Sequence, residues 1–155
     1  TINSTLKFRD GSGSIDGSGL ILVNGDLVIN NNITYEAGSP TKLKNIASAG
    51  FIVLGDIIIN GDISEISGAF VALGWPAISS CSPVTAHCGQ IKTGAGAGQL
   101  KVNGLLMAKS IVFERTYANA DESAEYVIYD GRATVNPPRG MEAFASALPT
   151  WQEGL

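Results

Sequence analysis

Charge is what this sequence has least of. Asp, Glu, Lys and Arg make up 15% of it and the formal net charge is −4, whereas soluble domains usually carry roughly 25% charged residues. The ten Lys and Arg are scattered, with no cluster longer than Lys42-Leu43-Lys44. A chain without a basic stripe has nothing to displace counterions from a phosphate backbone, so nucleic acid is excluded as a partner. An anionic membrane surface repels it for the same reason. Long apolar runs are also missing. The longest are Ala69 to Leu73, and Phe51 to Leu54 followed by Ile57 to Ile59. A membrane span needs about 20 apolar residues, so none is expected. Nor is there a signal peptide or a pilin-like N-terminal helix. The abrupt start at Thr1 leads us to expect a processed mature form or an excised domain.

Histidine and cysteine are scarce as well. His87 is the one histidine, and no Gly-x-Ser-x-Gly elbow occurs, so nucleophilic catalysis lacks its usual parts. The two cysteines, Cys81 and Cys88, bracket Ser-Pro-Val-Thr-Ala-His. So close a pair in such a loop reads as a local disulfide in an oxidising compartment. A metal site is the alternative, but it needs more ligands than His87 can supply. By the chain-entropy model the bridge contributes about 2–3 kcal/mol, enough to pin a loop but not to hold a fold.

Turning to what is present, hydrophobic residues make up 45% of 155 residues. That composition argues against disorder and for one domain with a real core. Abundant Asn, Ser, Thr and Gly supply an uncharged polar surface. A pattern recurs in Val23-Asn24-Gly25-Asp26-Leu27-Val28-Ile29, Val53-Leu54-Gly55-Asp56-Ile57-Ile58-Ile59 and Val102-Asn103-Gly104-Leu105-Leu106-Met107-Ala108, with an echo in Ala72-Leu73-Gly74-Trp75. The pivot glycines Gly25, Gly55, Gly74 and Gly104 are spaced 30, 19 and 30 residues apart, a 19-residue unit with 11 residues inserted twice. The insertions are expected within 34–45, around Pro40, and within 76–98, which holds the cysteine loop and Gly94 to Gly98.

Alternation within the units predicts strands with one face inward. Leu20, Leu22, Leu27, Ile29 and Ile33 share a face in the first unit; Phe51, Val53, Ile57, Ile59 and Ile63 share it in the second. Asn-Gly at 24, 60 and 103 could signal hairpins. A meander, however, would not repeat one glycine at a fixed interval, whereas a chain that turns once per unit would. The reading is therefore all-β: a parallel β-solenoid of about four to six rungs stacked on one core. Stacking predicts Asn30 over Asn60 in an amide ladder, and Asp26 over Asp56. Leu6-Lys7-Phe8 would make a first partial rung and Glu125 to Tyr129 a last one. The solenoid is expected over 1–133, and a tail over 134–155 to cap an end. In that tail Met141 to Leu148 form a short helix or irregular cover, and Trp151 is an apolar anchor.

Several segments carry a resemblance: Gly55-Asp56-Ile57, Ile66-Ser67-Gly68-Ala69-Phe70-Val71-Ala72, the loop with Cys81 and Cys88, Leu100 to Ala108, Phe113-Glu114-Arg115-Thr116, Glu125, Tyr129-Asp130 and Pro137-Pro138. Over about 100 residues the chain resembles a group of uncharacterised secreted proteins of small-genome bacteria that accompany pilus or surface-filament machinery. The resemblance implies an exported, surface-associated protein and supplies no catalytic residues. A weaker likeness, limited to the Asn-Gly-Asp-Leu rungs, is to the polymer-forming bactofilins, which are cytoplasmic and lack the cysteine loop.

Each candidate site has a competing plain reading. Asp26 over Asp56 would set two carboxylates about 5 Å apart, the spacing of a retaining glycosidase. The next positions in that column are Trp75 and Leu105, with no basic residue placed to help, so a solvated corner is favoured. The same pair, or Asp10 and Asp16 in the Asp-Gly-Ser-Gly-Ser-Ile-Asp stretch, could hold Ca²⁺. Ile15, however, stands where an EF-hand loop requires Gly, and Ile21 where it requires Glu. His87 reads as a satisfied or exposed loop histidine, and Gly94 to Gly98 as a linker with no phosphate-binding context. Arg115 is expected to pair with Glu125 or Asp130 and lock the last segment. Trp75, Tyr117 and Tyr126 could stack on a glycan, or could finish a core.

The function expected is structural and not enzymatic, without a cofactor: a surface-filament subunit or adhesin module at the cell surface or outside the cell. Association with itself or with other filament proteins would run through Thr1, Ile2, Leu6 and Phe8, since an open sheet edge is a template for another chain. The rivals are a carbohydrate-binding module and a polysaccharide-cleaving enzyme.

Overall fold

The computed structural model describes residues 1–78, 81, 85–119 and 121–143. It contains the strands β1 (Leu6–Phe8), β2 (Ser18–Val23), β3 (Leu27–Ile29), β4 (Ile33–Tyr35), β5 (Ser48–Val53), β6 (Ile57–Ile59), β7 (Glu65–Ala72), β8 (Gln90–Lys92), β9 (Leu100–Ala108), β10 (Ser110–Val112) and β11 (Glu125–Ile128). Helix among the described residues comprises a 3-10 turn at Leu43–Asn45, a single turn, α1 (Arg132–Val135), and the helical pair Glu142 and Ala143. Each strand pairing is parallel. The chain is an all-β protein built on parallel sheets.

The pairings sort the strands into three columns. β2, β5 and the second halves of β7 and β9 form the first. β3, β6, β8 and β10 form the second, to which Ile2 adds a bridge at Ile29. β1, β4, the first halves of β7 and β9, and β11 form the third. From β2 onward the chain visits the columns in that order and then begins again. Side chains alternate across each strand, and one alternate set meets in a common core. Phe51, Ile29, Ile33, Ile57, Ile59, Ile66, Phe70, Ile91 and Leu100 are fully buried there. Each contributes roughly 1.5–3 kcal/mol of burial. The Phe51 and Phe70 rings, opposite each other in neighbouring strands, stack at 4.8 Å, and Phe8 meets Phe51 edge-on at 6.1 Å.

β7 and β9 run from the third column into the first without a loop. They bend at Gly68 and Gly104, whose φ values of +141° and +151° lie where side chains are disfavoured. The two glycines are opposite each other in the ladder, and a Cβ on Gly104 would lie 1.8 Å from the Gly68 carbonyl oxygen. Only hydrogen fits.

The register corrects three expectations. Val23 stands opposite Val53 and Leu27 opposite Ile57, a step of 30, and Val53 stands opposite Ala72, a step of 19. The last step differs: Ala72 stands opposite Ala108, so Gly104 stacks on Gly68 and not on Gly74. Glycine serves two different corners here, and the short motif does not distinguish them. Second, Ile21 and Val23, not Leu20 and Leu22, lie opposite the inward Phe51 and Val53. Leu20 packs instead into an outer cluster with Ala69, Val71 and Met141. Both faces of this sheet are apolar, so alternation carries no phase. Third, β4 falls partly inside 34–45 and β8 inside 76–98, so paired strands occupy part of both expected insertions.

The tail lies across a side of the molecule. Asn136 Nδ2 donates to the carbonyls of Lys44 and Ile46 at 2.9 and 2.8 Å, and Met141 covers Ala69 and Val71 on the outer face of the first column. A Cβ on Gly50 would meet Met141 Sδ at 2.5 Å, so the cover sits directly on the sheet. The expectation of an end cap is corrected for residues 134–143. The remainder, with Leu148 and Trp151, lies outside the described residues.

Candidate functional site

The corner between the first and second columns gathers the most reactive side chains of the sequence. In the lower turns it is short, Asn24 to Asp26 and Leu54 to Asp56. Between β7 and β8 the loop that carries the cysteines replaces it. The two ends of that loop run side by side: the Trp75 N–H donates to the His87 carbonyl at 2.8 Å. Gly74, at φ +71°, leaves no room for a side chain, since a Cβ there would lie 2.3 Å from the Cys88 oxygen. Cys81 and Cys88 are joined in a disulfide.

Asp56 is 3% exposed. Its Oδ1 accepts the N–H groups of Gly89 and Gln90 at 2.8 and 2.9 Å, while its own N–H donates to Asp26 Oδ1 at 2.8 Å. Asp26 Oδ1 also meets His87 Nδ1 at 2.7 Å. The His87 ring stacks on Trp75 with centroids 4.2 Å apart and planes 12° from parallel. His87 takes φ +53° to reach this place, the only described residue other than glycine at positive φ.

This geometry corrects the two readings of the aspartate pair. Asp26 and Asp56 do occupy matching places in adjacent turns, but Asp56 is neither a solvated corner nor free to act on a substrate. It is buried and spends its carboxylate on the backbone N–H groups of Gly89 and Gln90. A basic residue is placed beside the pair: His87 arrives from 61 positions away. Chemically the cluster is a clamp on the loop, with a carboxylate below, an imidazole–carboxylate contact above and a disulfide across. Sequence reasoning missed the contact because nothing local to His87 points to Asp26. The apolar flanks of Asp56, Gly55 and Ile57, were the available signal for its burial.

The other expected residues are dispersed. The backbones of Asn30 and Asn60 are in register, with the Asn60 N–H donating to the Ile29 carbonyl at 2.9 Å. Their amides do not form a ladder: Asn30 Nδ2 donates to Asn3 and Asn60 Oδ1 accepts from the Asp62 N–H. Asn32 makes the link between turns instead, its Oδ1 accepting the N–H groups of Ser64 and Glu65. Asp10 accepts the Ala47 N–H at 2.7 Å and Asp16 pairs with Arg139 at 3.6 Å, so each is engaged with a different part of the fold. Trp75, Tyr117 and Tyr126 sit on three separate elements: the cysteine loop, the segment after β10, and β11 opposite Lys101.

Arg115 locks the last segment, though not by the expected ion pairs. It is buried, and its guanidinium donates to the carbonyls of Thr93, Ile63 and Asn60. Glu125 binds the Arg115 backbone N–H and the Thr93 hydroxyl, and Asp130 pairs with Arg132. Burial pulls the Arg115 guanidinium below the ordinary arginine range, and the charges of Glu125 and Asp62 oppose that shift. Compared with family models, with curated proteins and with solved structures, the chain matches none.

Proposed function

We propose that the chain is a parallel β-solenoid of about five turns, serving as a structural module of an exported surface assembly that lengthens by stacking one open end on another. The observation that carries this reading is the state of the two ends. At one end the outermost strands are β1 and β2, with Leu22 71% and Ile21 37% exposed. At the other they are β10, β11 and the second half of β9, with Val127, Ile128 and Phe113 about half exposed. Both ends present strand edges of the same three columns in the same direction, so one end of a copy fits the opposite end of another. Contacts between unlike surfaces do not close a dimer and instead propagate as a filament.

Thr1 to Phe8, the segment expected to join a neighbour, lies along an edge of the sheets. Ile2 bridges Ile29 and β1 pairs with β4, so this segment is docked on its own chain and offers only its outer edge. The disulfide supports an oxidising compartment, and the low charge lowers the repulsion between stacked copies. Electron microscopy and sedimentation over a range of concentrations test the reading. Fibres or concentration-dependent oligomers are expected, and Leu22→Lys and Val127→Lys should each reduce them. A monomer at all concentrations would sink it.

A further inference from the structure

A polar groove on the outer face of the third column lies apart from the cysteine loop and borders the β11 end at Ile128. It arises from strand alternation. Ile66 and Val102 point into the core, which turns Glu65, Ser67 and Asn103 outward on neighbouring strands. The chain leaving β11 then crosses beside them, and Tyr129, Asp130 and Arg132 close a cavity of about 370 Å³. That volume is near the lower end of ligand cavities, which run from ~300 to 1,000 Å³.

The chemistry of the lining selects its occupant. Asn103 Nδ2 donates to Glu65 Oε1 at 2.6 Å, which fixes the amide and leaves Asn103 Oδ1 and Glu65 Oε2 as acceptors without a donor among the described residues. Arg132 is held in place twice, by Asp130 at 3.3 Å and by lying over the Tyr35 ring at 4.5 Å. Its charge is thus offset locally, and with Glu65 present the groove is net negative, which disfavours a phosphate or carboxylate ligand. Among the described residues no three His, Cys, Asp or Glu side chains come together to hold a metal. The mostly polar lining disfavours a lipid. A ligand of many neutral hydroxyls, each both donor and acceptor, satisfies carboxylate, amide and guanidinium at once, while the half-exposed Tyr129 ring offers an apolar face to a sugar ring.

We propose that this groove binds one ring of a neutral saccharide, either free or at the end of a glycan. The test is an amide-resolved NMR titration of the full chain with glucose, galactose, mannose and N-acetylglucosamine at millimolar concentrations, alongside the same sugars immobilised as terminal residues of glycans. Saturable shifts at the Asn103 side-chain amide and the Gly131 amide are expected with at least one sugar. Glu65→Gln should weaken that binding by about tenfold, or about 1.4 kcal/mol. Tyr129→Ala, at a half-exposed site, should weaken it as well. Trp75→Ala, in the distant cysteine loop, should leave it unchanged. Response to free sugar identifies a monosaccharide site, and response only to immobilised glycan identifies a glycan terminus. Absence of saturable shifts in both formats overturns the proposal, as does binding that persists unchanged in both Glu65→Gln and Tyr129→Ala.

Discussion

Two corners of this molecule solve the same problem with opposite charges. Where the first column turns into the second, the inserted cysteine loop brings the Gly89 and Gln90 N–H groups onto the buried carboxylate of Asp56. Where the second turns into the third, buried Arg115 donates to the carbonyls of Ile63, Thr93 and Asn60, the last of which also accepts the Ile63 N–H. A turn between parallel strands strips backbone groups of their ladder partners, and a buried backbone group without a partner is costly. Which group is stripped decides the sign of the side chain that repairs it. In a chain so poor in charge, two of its few ionic side chains are spent this way. Within β7 and β9 the passage from the third column to the first needs neither, because these strands bend through Gly68 and Gly104 with their ladder intact, whereas before β5 the Asp10 carboxylate accepts the Ala47 N–H.

Substitutions can break this comparison. Arg115→Ala should have the largest effect, about 3–5 kcal/mol, because several buried carbonyls lose a charged donor together. Urea unfolding would measure it, and a loss below about 1 kcal/mol would mean that water replaces the guanidinium. Gly104→Ala comes next, at roughly 3 kcal/mol from overpacking and strain. Gly68→Ala should cost less, since its Cβ would meet the Ala49 oxygen at 3.0 Å and not a ladder partner at 1.8 Å. If the two variants melt together, the corner is more adaptable than its geometry implies.

Asp56→Ala should lose about 2 kcal/mol by leaving two buried N–H groups unpaired, with faster hydrogen exchange at Gly89 and Gln90. Asp56→Asn keeps an acceptor oxygen and should recover much of the loss. Failure to recover would show that charge, and not accepting capacity, matters at this corner. His87→Ala should cost less than about 1 kcal/mol, because its contact with Asp26 is partly exposed. Its effect should be confined to the cysteine loop.

The effect that depends on pH belongs to Tyr35, whose hydroxyl accepts the Ala49 N–H at 3.0 Å and whose burial raises its phenol above the ordinary value of 10.0. A raised pKa means that the folded state holds the proton more tightly. This contribution is complete below pH 10.0 and is lost as pH rises through the folded value. Tyr35→Phe should therefore flatten the alkaline limb of the stability curve. An unchanged limb would assign alkaline unfolding to other groups.

Much of the strand layout was legible in the residues. The matching motifs around Gly25 and Gly55 gave the register of β2 on β5 and of β3 on β6, because a repeated local pattern implies a repeated local environment. Leu6 to Phe8 and Glu125 onward were recognisable as the outlying strands β1 and β11. The phase of β2 was not legible: the tail covers the outer face of its sheet, so leucines are suitable on either side. The step from Gly74 to Gly104 was misread because a glycine motif does not say which corner it bends.

The candidate sites were less legible still. The cysteine pairing follows from proximity along the chain, but His87 on Asp26 and Arg115 on Asn60 join residues 61 and 55 positions apart. The groove draws on β7, β9 and the segment after β11, whose residues show no shared motif. By itself, then, the sequence determined what short-range pattern can encode: strands in place of helices, an apolar core, a low-charge surface and one bridged loop. Only the tertiary structure decided which face each strand turns inward, which corner each glycine serves and which polar side chains meet. Those outcomes depend on how far the chain travels between successive passes through a column, and loop lengths vary that distance without leaving a periodic trace.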